Sequence, residues 1–155
     1  MPHSLLAEVT AKKIDHYVQN FADLLEGLTE EQIWSTAGNV PNSIGTLARH
    51  VTGNLNHYYG AGLLNTGYVR TRDREFTERN LPKAKVIAEL KEAATIARQA
   101  LETIDDSALG QPITSPDGQA YESLGYYIVH MAMHLAMHYG QADYAQNYVK
   151  WTKTP

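Results

Sequence analysis

The chain has 155 residues, 43% of them hydrophobic, and contains no cysteine. That length carries one ordinary domain with enough apolar side chains for a core, and the missing thiols exclude disulfides, thiolate metal ligands and a cysteine nucleophile. A formal net charge of -4 removes the long-range attraction that phosphate backbones exert on basic proteins, so no nucleic-acid partner is expected.

Helical periodicity runs through four long segments, and no segment of comparable length alternates like a strand. The first spans about Leu5 to Leu25, with Ser4 as its cap and Ile14, Val18, Phe21 and Leu25 on one face, and it ends at Gly27. A short extra helix follows, because Thr29 with Gln32 three residues on fits a capping box; its Trp34 is placed to plug a bundle end. The second long helix starts near Asn42 or Ser43, just after Pro41, and runs to about Leu64. Its buried stripe is read as Ile44, Leu47, Val51, Leu55 and Tyr58.

Residues 65–80 are polar, charged and aperiodic, and read as a long connection. Arg70, Arg72, Arg74 and Arg79 are interleaved there with Asp73, Glu75 and Glu78, so a solvated loop is expected over a site for an anionic substrate. The third long helix covers about Pro82 to Thr103, where Ile87, Leu90, Ala94, Ala97, Leu101 and Ile104 recur at bundle spacing. Residues 105–120 are rich in turn formers and have room for a small hairpin. The last helix extends from about Glu122 to Lys150.

No segment approaches the roughly 18 uninterrupted apolar residues of a membrane span, and the N-terminus lacks a signal-peptide pattern. A soluble, cytoplasmic protein without a membrane partner is expected. With no repeat or linker composition, residues 1–155 read as a single helical-bundle domain.

The chemistry concentrates in the last helix, where His130, His134 and His138 recur every fourth residue. Side chains four apart lie one turn apart on nearly the same face, so two such imidazoles can reach one divalent ion. The seam Leu124, Ile128, Met131, Leu135, His138, Ala142, Ala145 and Val149 puts His138 where an apolar residue is expected. His134 lies about 40° to one side and His130 about 80°, at the rim. The methionines at 131, 133 and 137 read as packing. On the second helix His50, Asn54 and His57 form a polar stripe beside the apolar one, and either histidine can complete a three-imidazole site with an open position. A lone core histidine is more often hydrogen-bonded than ligating; two in register with a third on another core helix favour a metal.

Ser43-Ile-Gly-Thr-Leu-Ala-Arg-His50 and His134-Leu-Ala-Met-His138-Tyr-Gly-Gln141 together resemble the signatures of the DinB-like bundles, also called YfiT-like metal-dependent hydrolases. The resemblance covers nearly the whole chain and implies an up-down-down-up four-helix bundle. It also implies a divalent metal, zinc, nickel or similar, on His50, His134 and His138. Some relatives are linked to transfer of low-molecular-weight thiols such as bacillithiol or mycothiol, so a small-molecule substrate and a thiol cofactor are implied. The extra histidines at 57 and 130 depart from the pattern.

Hydrolysis would want a carboxylate base near the metal, and none is evident: no His-Glu-x-x-His pattern occurs, and the nearest acid on the last helix is Asp143. A thiol needs less from the protein, which inclines the reading to a thiol-dependent transferase over a hydrolase. The competing class is a non-catalytic, metal-stabilised binding or dimerisation module. Tyr139, Tyr144, Tyr148 and Trp151 cannot all face the last helix's seam, and from them a homodimer is expected, with coverage of the protein's own first helix as the alternative.

Overall fold

A computed structural model describes residues 4–36 and 38–151. The elements are α1 (Leu5–Glu26), α2 (Glu30–Trp34), α3 (Ile44–Leu55), a π-helical segment (Asn56–Ala61) continuing into α4 (Gly62–Leu64), α5 (Arg72–Thr77), α6 (Lys83–Glu102), strands β1 (Ile113–Thr114) and β2 (Ala120–Tyr121), and α7 (Leu124–Trp151). The fold is an all-α bundle with one two-residue antiparallel hairpin.

Local signals place the helix starts. Ser4 caps α1 and Ser43 caps α3, each hydroxyl accepting a backbone N–H three residues on, and Thr29 with Gln32 closes the expected capping box on α2. The four long helices then bury their seams against one another. Ile14, Phe21 and Leu25 of α1, Val51 and Leu55 of α3, Leu90, Ala97 and Leu101 of α6, and Ile128 and Leu135 of α7 are all buried in one core.

Contacts between named residues fix the topology. Arg98 on α6 lies against Asp15 on α1 and Tyr17 and Phe21 lie against Tyr139, while Leu6 lies beside Gly125, so α1 and α7 run parallel. Trp34, which packs on Gly45, donates from its indole to Leu81 O at 3.1 Å, and Gly60 sits against Ile96, so α3 and α6 also run parallel. The order is up-down-down-up, and it forces the α3–α6 connection to travel back along the bundle.

Two details differ from the sequence reading. The π-helical segment inserts one residue into the helical phase, so the inward stripe runs Leu47, Val51, Leu55, Tyr59, and Tyr58 is only half-buried. Tyr59 is fully enclosed and donates its phenol to Ile128 O at 2.6 Å. Of the three methionines assigned to packing, only Met131 lies in the core; Met133 and Met137 face solvent. The aromatics at the end of α7 divide. Tyr139 turns onto Tyr17 and Phe21 of α1, whereas Tyr144 is 84% and Trp151 77% exposed.

Trp34 closes its end of the bundle because position 45 has no Cβ: one built there would stand 2.8 Å from the indole ring. The ring is held by its hydrogen bond to Leu81 and cannot yield freely. Gly45→Ala should therefore lower stability by about 1–3 kcal/mol while leaving helix content unchanged, checked by thermal unfolding followed by circular dichroism.

Candidate metal centre

Three imidazoles meet where α3 crosses α7. His50 Nε2 lies 3.1 Å from His134 Nε2, which lies 3.1 Å from His138 Nε2. The ring nitrogens these three residues offer fall within 4.8 Å of one another, close enough to share one ion. Nitrogens about 2.0–2.1 Å from a tetrahedral ion stand about 3.3–3.4 Å apart, so the spacing suits such a donor set without helix movement.

The other ring nitrogens decide the tautomers. His50 Nδ1 donates to Glu75 Oε2 at 2.9 Å, and His138 Nδ1 donates to Gln141 Oε1 at 2.8 Å. Each ring therefore turns an unprotonated Nε2 toward the common point. Lone pairs facing one another at this distance repel, and a cation or shared N–H groups must relieve them. Buried Asn54 aims its amide Nδ2 at the same spot, 3.4 Å from His50 Nε2 and 3.2 Å from His134 Nε2.

At His134 and His138 electrostatics favour neutral rings, the form in which imidazole ligates. Burial pushes the His134 pKa down to about 4, and the neighbouring His138 and His50 act in the same direction. Burial also lowers that of His138, against the Gln141 hydrogen bond. His50 is buried, while His134 and His138 remain half-exposed, so the cluster is approached from the α7 side.

The 65–80 connection is more than a solvated loop. It contains α5, and Glu75 on that helix is only 5% exposed. Arg70 grips its carboxylate, Nε to Oε1 at 2.7 Å and one terminal nitrogen to Oε2 at 2.9 Å. Burial acts to raise the Glu75 pKa, but the hydrogen bonds from His50 and Arg70 outweigh it and hold the group below the usual carboxylate range. Arg49 ties the same segment to α3 through Glu78, 2.7 Å away. Glu75 was not found from the sequence, which offered no carboxylate near the cluster. The available signal was Gly53, one turn past His50: a Cβ there would lie 2.0 Å from Glu75 Oε1.

The remaining histidines stay outside. His130 is exposed and stacks on Tyr126, with ring centroids 5.6 Å apart. His57, the alternative third ligand, does not join the cluster. Its Nδ1 is buried without a hydrogen-bond partner, and burial followed by the charge of Arg70 lowers its pKa.

Residues 10–149 match the family model described as mycothiol-S-transferase. The chain belongs to the mycothiol-S-transferase family. Among solved structures, this family member is similar to a conserved protein from Enterococcus faecalis, with a TM-score of 0.76 and 15% identity over 95% of this chain and 98% of that one. It is also similar to the mycothiol-dependent maleylpyruvate isomerase, with a TM-score of 0.63 and 13% identity over 86% of this chain. The matched part is 59% of the isomerase's length. At these identities the likeness concerns the fold. No curated protein sequence matches the chain.

Gly53→Ala tests the link between the α5 strap and the cluster. The added methyl group should displace Glu75 and free His50 Nδ1, so nitrogen-15 NMR of the histidine rings should show His50 passing from a single Nδ1–H tautomer to a mixture. An unchanged His50 spectrum would disprove the link.

Proposed function

We propose that this protein is a metal-dependent transferase that joins a low-molecular-weight thiol, mycothiol by its family, to a small electrophile, with His50, His134 and His138 holding a divalent ion such as zinc or nickel. The observation that carries this reading is the convergence of three Nε2 atoms whose partner nitrogens at His50 and His138 are already committed to Glu75 and Gln141. A divalent ion there supplies Lewis acidity and stabilises a thiol as its thiolate.

The chain's own groups prepare the site. Glu75 and Gln141 hold two rings so that their lone pairs face inward, which spares the site reorganisation on loading. Asn54 offers an N–H donor beside the cluster for a polar atom of a bound molecule. Among the described residues, no fourth histidine or carboxylate joins the three, which supports a site with a position for substrate over a closed structural one.

Thiol transfer is favoured over hydrolysis by the state of Glu75. It is the carboxylate bonded to the cluster, and a hydrolase would need such a group free to take a proton from water. Both of its oxygens are occupied, Oε2 by His50 and Arg70 and Oε1 by Arg70. It orients and does not abstract.

Metal analysis of purified protein should give about one divalent ion per chain. His138→Ala should lose that ion yet keep its helical circular dichroism, because the seams bury the core without it. Metal-loaded protein should conjugate mycothiol to 1-chloro-2,4-dinitrobenzene; chelation should abolish the activity and zinc restore it. Activity that survives complete chelation would overturn the reading.

A further inference from the structure

Beside the histidine cluster lies an apolar groove of about 450 Å³, walled by Val40, Pro41, Leu47, Ala145 and the rings of Tyr144 and Tyr148. Gln141 also lines it, and that amide is the one that accepts from His138. Leu47 precedes His50 by three residues on α3, and Gln141 follows His138 by three on α7. At 1.5 Å per residue, the near end of the groove begins about 4.5 Å along either helix from the histidines, and it extends about 10 Å farther, to Tyr148. Its volume is that of a small-molecule pocket, and its walls are mostly apolar and aromatic, with the Gln141 amide at the end nearer the site and the Asn42 amide near the other.

We propose that this groove is the acceptor subsite and takes an apolar, planar electrophile, its reactive carbon at the Gln141 end. The proposal rests on the transferase reading and adds the class of compound that receives the thiol. Flat rings lie against Tyr144 and Tyr148 with little entropy lost by those side chains. A small polar electrophile gains nothing from these walls, so the groove selects among acceptors. With 1-chloro-2,4-dinitrobenzene, the thiol sulfur bonds to the ring carbon as the carbon–chlorine bond breaks. Chloride leaves with the electron pair and the thiol proton passes to solvent, so no oxidant or reductant is required.

The test uses two probes of the 155-residue chain. Unreactive 1,3-dinitrobenzene should shift the methyl NMR signals of Val40 and Leu47, and Ala145→Trp, which fills the groove, should abolish those shifts. In the transfer assay the same substitution should lower kcat/KM for 1-chloro-2,4-dinitrobenzene relative to iodoacetamide by about tenfold or more. Tyr144→Ala, at a surface position that folding does not depend on, should lower the same ratio several-fold. Shifts at Val40 and Leu47 without any transfer would support the groove while refuting the transferase reading. Transfer with an unchanged acceptor ratio, or dinitrobenzene shifts confined to other residues, would overturn the groove proposal. So would light scattering at twice 17.3 kDa with Tyr144 protected from solvent, which would assign the groove to a second copy.

Discussion

The contact between the Glu75 carboxylate and His50 Nδ1 organises the site. An imidazole has two nitrogens, and which of them presents a lone pair depends on what the other one bonds. At 2.9 Å from a carboxylate that Arg70 holds in place, Nδ1 keeps its proton and Nε2 is left bare toward His134 and His138. Gln141 does the same for His138 with a neutral acceptor. Two rings fixed from behind make a pre-set cluster of lone pairs, and the cost of bringing them together is carried by the fold. Burial that depresses the His134 and His138 pKa values works in the same sense, because it keeps protons from filling the place of an ion.

The bundle's topology explains why the orienting carboxylate comes from so far along the chain. Parallel neighbours α3 and α6 cannot be joined by a tight turn, so residues 65–82 must run back along the outside of α3. A segment taking that path passes His50 and Gly53. Gly53 clears room for a carboxylate, Arg70 neutralises it, and the Arg49–Glu78 pair anchors the far side. The connection that the topology requires thus also serves as the strap behind the first histidine. On the opposite side of the cluster α3 and α7 run antiparallel, and the space between the start of α3 and the end of α7 stays open as the apolar groove.

The four long helices, the short capped helix and the His134–His138 pair were legible through periodicity and i, i+4 spacing, whereas the up-down-down-up order and the choice of His50 as the third histidine were only implied by the family resemblance. The seam on α6 is buried as its spacing predicts, while His134 and His138, the latter read at a core position, are half-exposed where they meet buried His50. What escaped depends on relations between elements. The relative heights of α3 and α7, which decide between His50 and His57, have no local signature. Glu75 lies in a stretch whose composition is that of a solvated loop, and its burial arises from a partner 25 residues away. The π-helical segment moves the inward position from Tyr58 to Tyr59 by one residue, a shift that uniform helical counting cannot produce. The methionine run misled because three like residues fell close together while only Met131 lies on the seam.

The central claim is that three imidazoles, and no other side chain, hold a divalent ion that leaves room for a thiol. X-ray absorption of the zinc-loaded protein measures this most directly. The account predicts three imidazole nitrogens at about 2.0–2.1 Å and, after mycothiol is added, one sulfur at about 2.3 Å, a scatterer that this cysteine-free chain cannot itself supply as a thiolate. A first shell with fewer than three imidazoles, or one that admits no sulfur when the thiol is present, would contradict it.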